Sequence, residues 1–206
     1  MKKFKLRRDL AIDFYGHKLF RIEAVCDIEK QDVKAGDLGG YVEKEENLDG
    51  DAWVSDDAWV YGDAQVYGDA RVYGAAWVSD DARVYGDARV YGAAQVYGNA
   101  RVYGDARVYG DAQVYGDAQV SGDARVYGDA QVYGDKIERR ADICNITNQQ
   151  YNITITPLHI KIGCQYHAKK AWFNFTDKEI EKMDGQHAVD WWKVWKPILQ
   201  QICEQK

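Results

Sequence analysis

Gly86-Asp87-Ala88-Arg89-Val90-Tyr91 is one of fourteen consecutive six-residue units that fill residues 50–133. Within each unit, Ala and Val flank one variable residue, so both point to the same side of a short strand. Glycine permits the positive φ of a tight corner, and aspartate, which replaces it at Asp56 and Asp80, also tolerates that conformation. A strand this short buries its apolar face only against copies of itself. The repeat therefore predicts a solenoid.

The variable position has a second period of eighteen residues, as expected if three units complete one coil. The first face then carries Trp53, Arg71, Arg89, Arg107 and Arg125; the second carries Trp59, Trp77, Gln95, Gln113 and Gln131; the third carries Gln65, Arg83, Arg101 and Gln119. A three-sided coil of such units resembles the hexapeptide repeat of left-handed parallel β-helices. We therefore predict a mainly β protein whose hexapeptide solenoid has about six coils, with tyrosines stacked in ladders along its corners.

Three regions are predicted along the chain. Residues 1–37 read as a small N-terminal β cap, residues 38–143 as the left-handed β-helix, and residues 144–206 as a C-terminal α+β domain. The N-terminal cap is expected to cover Trp53, and two degraded units ending at Ile143 are expected to close the solenoid. In the C-terminal domain we expect a hairpin around Pro157, a helix capped by Thr176 and a kink or break at Pro197.

The second face is the predicted contact surface. It has no arginine, two of its tryptophans follow one another along the stack, and two positions that are usually aspartate are alanine. Exposed aromatic and neutral side chains favour a contact with another protein. The predicted subunit or partner contact consists of Trp59, Trp77, Ala75, Ala93, Gln95, Gln113 and Gln131.

Composition limits the function classes. The 206-residue chain has a formal net charge of −6, and its solenoid is acidic, which argues against a nucleic-acid partner. No apolar run is long enough for a membrane span, and the start of the chain does not resemble a signal peptide. Four widely separated cysteines are typical of reduced cytosolic thiols and give no metal-binding spacing; they are Cys26, Cys144, Cys164 and Cys203. We expect a cytoplasmic protein without metal or cofactor.

Three segments carry a family resemblance. The lead-in Gly36–Leu48, the long repeat tract, and the tail Ile160–His167 followed by Trp191-Trp192 resemble hexapeptide-repeat proteins encoded by phages and prophages. The resemblance covers essentially the whole chain. It implies a trimeric-LpxA-like solenoid and a phage origin in a bacterial host, and adds little about mechanism because this fold hosts several functions.

Two functions follow from these patterns. Acyltransferases of the hexapeptide class use a histidine base on the solenoid, but no histidine lies between His17 and His159. Such an enzyme would have to use the ligand or nucleophile candidates Cys164, His167 and His159 of the C-terminal domain. We favour a non-catalytic binding or scaffold protein, a homotrimer that binds a host protein or a small signalling ligand, as an anti-defence protein would. No catalytic residue is predicted.

Overall fold

The computed structural model describes residues 2–147 and 150–205 and divides into two compact units, with the boundary between Arg140 and Ala141. The first unit is a parallel β-solenoid of about five turns with strands added at its N-terminal end. The second is a small α+β unit. The predicted mainly β solenoid with a small N-terminal β cap and a C-terminal α+β unit is confirmed, with about five turns where about six were expected.

Each face of the solenoid is a parallel sheet. The first face contains Trp53–Val54, Arg71–Val72, Arg89–Val90, Arg107–Val108 and Arg125–Val126. The second contains Leu38–Val42, Trp59–Val60, Trp77–Val78, Gln95–Val96, Gln113–Tyr115 and Gln131–Tyr133. The third contains Gln65–Gly68, Arg83–Gly86, Arg101–Tyr103, Gln119–Val120 and Lys136–Ile137.

The eighteen-residue period is the register of these sheets. Arg89 pairs with Arg71 and Arg107, and Gln95 pairs with Trp77 and Gln113. The repeated alanines and valines point inward and are almost completely buried. The core is therefore a stack of identical apolar layers in which each strand hydrogen-bonds to the copies above and below it.

The corners confirm the predicted roles of aspartate and tyrosine. Asp56 and Asp80 have φ values of 56° and 58°, and each carboxylate accepts a hydrogen bond of 3.0 Å from the glycine N–H of the next turn. Tyrosine rings stack from turn to turn; Tyr91, for example, lies 4.8 Å and 5.0 Å from the rings on either side, with interplanar angles of 2° and 3°. The ring spacing matches the strand spacing because each ring is fixed to the same position of successive strands.

The N-terminal segment extends the sheet of the second face. Strands β1 (Phe4–Phe14) and β2 (His17–Ala24) form an antiparallel hairpin with a bulge between Arg7 and Ala11, and β2 pairs with β3 (Leu38–Val42). A short 3-10 turn, Glu29–Gln31, lies beside Trp53, which is 6% exposed. The tryptophan predicted to lie under the N-terminal cap is thus buried next to it.

The coil begins and ends with imperfect turns. Leu38–Val42 opens it, a 3-10 helix follows at Glu45–Asn47, and Leu48 bridges to Val66. At the other end Ile137 pairs with Val120 and takes the position of the repeat valine. The last predicted unit, which ends at Ile143, is not a strand, because Arg140–Asp142 forms a 3-10 helix.

In the second unit, four antiparallel strands pack against two helices. The strands are Cys144–Ile146, Ile153–Ile155, His159–Ile162 and Gln165–Ala168, and the helices are α1 (Lys169–Asn174) and α2 (Asp177–Glu204). The expected hairpin is present, since Ile155 pairs with Ile160 across Pro157. Isoleucines of the sheet pack against Trp172, Trp192 and Leu199. Thr176 and Glu179 form the expected capping box of α2.

The interruption of α2 is not where the sequence predicted it. The helix continues through Pro197, and its non-helical residues are Asp184 (φ −157°, ψ 35°) and Gly185 (φ 75°, ψ −173°). Of the predicted kink or break at Pro197, the break was wrong, because the residues around Pro197 keep helical φ and ψ. Pro197 and Lys193 lie on the exposed side of the helix, so water can hydrogen-bond to the carbonyl that the proline leaves without a donor. Gly185 takes the break because only glycine adopts its conformation without strain.

Candidate ligand-binding site

A partly open cavity of about 150 Å³ lies in the C-terminal unit, between the sheet and α2. Its walls are mainly apolar and aromatic. The lining residues are Tyr151, Ile162, Gly163, Cys164, Gln165, Trp172, Ile180, Met183, Asp184, Ala188, Trp191 and Trp192. Concave, mostly apolar sites with a few polar groups are the usual form of small-molecule sites in proteins.

Two local features of the sequence position this cavity. Gly163, with φ 56°, makes the tight turn between two strands and brings Cys164 to the rim. The break at Asp184–Gly185 separates the first turns of α2, which supply Ile180 and Met183, from the remainder, which supplies Ala188 and the tryptophans. The break changes the direction of the chain between Met183 and Ala188, and both of these residues line the cavity.

Two of the tryptophans that line the cavity have indole N–H groups without a hydrogen-bond partner. The indole Nε1 atoms of Trp191 and Trp192 are buried and make no hydrogen bond to any described residue. Trp192 is 2% exposed. Trp172, by contrast, donates its indole N–H to the carbonyl oxygen of Ile160 at 2.7 Å. The indole N–H of Trp59 on the solenoid is likewise buried and without a partner, and the N–H atoms of Trp191 and Trp192 present almost no accessible surface to the cavity.

A hydrogen-bonded pair forms the rim beside the helix break. The Tyr151 hydroxyl donates to the Asp184 carboxylate at 2.7 Å, and His187 Nε2 lies 3.1 Å from the same carboxylate. Hydrogen bonds from Tyr151 and then His187 lower the pKa of Asp184, while burial and the bond to Asp184 raise the pKa of Tyr151. Tyr151 also packs edge-on against Trp191, with ring centroids 4.9 Å apart.

The structure separates the three residues proposed as ligand or nucleophile candidates. Cys164 lies at the cavity rim, whereas His159 and His167 do not line it. His167 pairs with Ile160 in the sheet and packs against Trp172, while His159 stacks on Tyr166, with centroids 4.8 Å apart. Since side chains alternate across a strand, His167 faces the core and His159 the opposite side.

The side chain of Gln165 lies between Cys164 and His167. Its amide Nε2 is 3.7 Å from Cys164 Sγ, and its Oε1 is 3.3 Å from His167 Nε2. A nucleophile and its base need direct hydrogen-bonding reach, and here an amide bridges the thiol and the imidazole instead.

On the solenoid, the N-terminal hairpin reaches the predicted contact residues. Phe14 packs on Trp59 at 4.4 Å between ring centroids and lies 6.3 Å from Trp77. Phe14, Trp59, Trp77 and Ala75 share a shallow apolar pocket. The rest of the predicted contact, Ala93, Gln95, Gln113 and Gln131, follows along the same sheet. Part of this surface is thus covered by the chain itself, and its role as a subunit contact stays a prediction.

Two further properties concern metals and membranes. Within residues 2–147 and 150–205, no group of three His, Cys, Asp or Glu side chains is arranged to hold a metal ion. None of the helices in this part of the chain combines the length and hydrophobicity needed to cross a bilayer.

The sequence pattern missed most of the cavity. Tyr151 and Asp184 lie 33 residues apart and meet only in the folded unit. The tryptophans of α2 appeared as a core stripe, and Trp192 does belong to the core. Gly185 was the available signal, because a glycine inside a helical pattern indicates a break or a close approach.

Comparison with known proteins identifies the repeat. Segments 64–80, 82–98, 94–110, 100–116 and 118–134 match the model of the YdcK beta solenoid repeat. No curated protein sequence matches the chain. The matched segments lie entirely within the parallel solenoid described above, so this part of the chain is similar to the YdcK beta solenoid repeat.

Proposed function

We propose that the protein is a non-catalytic binding protein in which a rigid β-solenoid carries a C-terminal unit that captures a small molecule. The observation that supports this proposal is the partly open cavity of about 150 Å³, whose walls are mainly apolar and aromatic and include a few polar groups. Concave and mainly apolar sites with a few polar groups are the usual form of small-molecule sites, which favours the binding of a compact molecule here.

The chemistry of the described residues does not favour the acyltransferase alternative. The solenoid has no histidine to act as a base. Cys164 and His167 are bridged by Gln165 and do not contact one another directly, and His159 lies on the other side of the sheet. A general base needs hydrogen-bond reach to the proton that it removes. Binding therefore remains the function that this geometry supports best.

Assembly and biological context are further parts of the proposal. The low-charge second face supports a homotrimer, in which Phe14 would join the predicted contact because it packs on Trp59. The left-handed coil, the phage origin and a cytoplasmic anti-defence role rest on the resemblance of the repeat and tail to phage proteins. In that role the C-terminal cavity would sequester a small signalling ligand, while the solenoid face would serve the trimer or a host protein.

Cavity filling tests the binding function. Ala188 lines the cavity and is 6% exposed, so Ala188→Leu places three additional carbon atoms in or beside it. Val194→Leu on the same helix is the matched control, because Val194 is 61% exposed. Native mass spectrometry should show a small molecule retained by the wild type and Val194→Leu but reduced in Ala188→Leu. Thermal melts with a library of compact ring compounds should show the same difference.

The proposal would be contradicted by two negative results together. These are the absence of any retained molecule and the absence of any stabilising compound at millimolar concentration. A ligand present at 100 times its Kd stabilises the native state by about 2.7 kcal/mol. For a chain of this size that corresponds to a rise of about 5–11 °C in Tm, which a melt resolves easily.

A further inference from the structure

We infer that the ligand of this cavity is a compact organic cation with a weakly hydrated charge, such as an N-alkylated aromatic ring or a quaternary ammonium. This inference rests on the proposed binding function and adds the chemistry of the ligand. Three observations support it, namely the volume of the cavity, two half-buried aromatic rings that line it, and a carboxylate at its rim.

The volume limits the ligand to one compact group. An apolar cavity of about 150 Å³ holds one benzene-sized ring, and this cavity has that volume. An N-methylpyridinium ring and a tetramethylammonium ion are of similar size. Cys164 and Asp184, which are both exposed, also line the cavity, so a substituent on the ligand can extend past them toward solvent.

Among the aromatic lining residues, the accessible ring surface belongs mainly to Tyr151 and Trp191. Both are half-buried, whereas Trp172 and Trp192 are buried. The rings of Tyr151 and Trp191 stand at 88° to one another, with centroids 4.9 Å apart. Two planes at right angles bound a corner with one face of each ring. Ring faces carry the negative part of the aromatic quadrupole, which attracts a cation.

The charge at the rim has the sign that a cation requires. Among the described residues that line the cavity, Asp184 is the only one with a charged side chain. The Tyr151 hydroxyl and His187 Nε2 both lie within hydrogen-bonding distance of the same carboxylate oxygen, Oδ2, at 2.7 Å and 3.1 Å. The other oxygen, Oδ1, accepts no hydrogen bond from the described part of the chain. Its negative charge therefore faces only ligand or solvent, and it favours a cation over a neutral or anionic compound of the same shape.

A quaternary nitrogen suits this wall better than a primary ammonium. A primary ammonium has three N–H donors, which lose their water next to apolar walls and need acceptors there. A quaternary nitrogen has no N–H group, so charge and ring faces are sufficient to hold it.

Three ring compounds of similar size and different charge test the class. N-methylpyridinium is a cation, toluene has the same shape without the charge, and benzoate is an anion. Calorimetric titration of the full chain should give N-methylpyridinium the tightest binding, about tenfold tighter than toluene, which corresponds to about 1.4 kcal/mol. Benzoate should bind most weakly, because the Asp184 carboxylate repels it.

Asp184→Asn keeps the shape of the side chain and removes its charge, so it should reduce the preference for N-methylpyridinium over toluene to less than threefold. Asp190→Asn is the control for net charge: Asp190 is exposed on the same helix but does not line the cavity, and the preference should survive. If Asp184→Asn unfolds the unit, as near-ultraviolet circular dichroism would show, Tyr151→Leu takes its place. This variant removes one ring face and should lower the same preference.

Phosphatidylcholine vesicles distinguish a free cation from a lipid headgroup that carries the same quaternary nitrogen. The chain should not sediment with them, because the headgroup phosphate would lie near Asp184 and be repelled by it. Sedimentation with the vesicles that N-methylpyridinium competes away would overturn the assignment to a free cation.

The outcomes separate the two proposals. Binding of toluene or benzoate that equals or exceeds that of N-methylpyridinium would overturn the cation class and leave the binding function standing. A tenfold preference that persists in folded Asp184→Asn would also overturn the class. No measurable binding of any of the three compounds would count against the binding function itself.

Discussion

Asp80 occupies a corner where the repeat normally has glycine, and replacing it separates two contributions to solenoid stability. Its φ is 58°, a conformation that alanine adopts only at a cost, and its carboxylate accepts a hydrogen bond from the Gly98 N–H at 3.0 Å. Asp80→Ala loses the hydrogen bond, about 0.5–1.5 kcal/mol, and adds about 1 kcal/mol of left-handed strain. The expected loss is about 1.5–2.5 kcal/mol.

Three companion variants distinguish the two terms. Asp80→Gly loses the bond but relieves the strain, so its stability should stay within about 1 kcal/mol of the wild type. Asp80→Asn retains an acceptor oxygen and tolerates the same φ, so it should be nearly neutral. Asp81→Ala is the control, because Asp81 is exposed and is not among the residues with positive φ.

The assay is thermal unfolding of the four variants, followed by the far-ultraviolet β signal. Asp80→Ala should lower Tm by about 3–10 °C, on a scale of about 2–4 °C per kcal/mol for a chain of this length. Equal losses in Asp80→Ala and Asp80→Gly would refute the strain argument. An unchanged Tm in Asp80→Ala would refute both terms.

Further predictions concern the ladder, the hairpin and the second face. Tyr91→Leu removes two stacked ring contacts and should lower the free energy of unfolding, measured with urea, by about 1–3 kcal/mol. An unchanged free energy would show that the tyrosine ladder contributes no stability beyond burial. Burial opposes the ionisation of Glu43, but hydrogen bonds from His17 and Gly62 outweigh it and lower the pKa of Glu43 below 4.5. Glu43→Gln should therefore lower the urea midpoint at pH 7, and the difference should fade as acid protonates the wild-type carboxylate below pH 4.5; a larger difference at pH 3 would contradict this sign. Gln113→Arg on the second face should reduce the mass measured by light scattering, whereas Gln119→Arg on the third face should not; equal masses would remove the second face as the subunit contact.

The solenoid could be predicted from sequence because its contacts repeat with the sequence itself. Once Arg71, Arg89 and Arg107 recur every eighteen residues, their strands must be neighbours, and the register follows. The αL corners at Asp56 and Asp80 followed from the same alignment of units. The repeat alone was enough to predict the structure wherever each turn of the solenoid contacts only neighbouring turns of the same sequence.

Contacts between segments of different sequence could not be predicted in this way. The bulge between Arg7 and Ala11 and the tight turn of the hairpin bring Phe14 onto Trp59, and no periodicity reports that path. The effect of Pro197 depended on its position on the exposed side of α2, which becomes known only with the packing of the helix.

The contacts of the candidate site also depend on packing that the sequence pattern does not reveal. Strand alternation would have separated His159 from His167, but only after the pairing of Ile160 with His167 had fixed the register of the hairpin. The lack of an acceptor for Trp192 is a property of three-dimensional surroundings, and the sequence contains no trace of it. Gly185 indicated that α2 is interrupted, although not that a cavity forms there.

The most direct test of the binding account is the indole N–H spectrum of the ¹⁵N-labelled chain during titration with those compact ring compounds that raise its Tm. The chain has seven tryptophans, so each indole signal can be assigned by single Trp→Phe variants. We predict that the indole signals of Trp191 and Trp192, which line the cavity, shift on titration, while those of Trp53, Trp59 and Trp77 of the solenoid do not move. Stationary Trp191 and Trp192 signals at saturating concentrations of these compounds, or a shift confined to the solenoid tryptophans, would contradict the account.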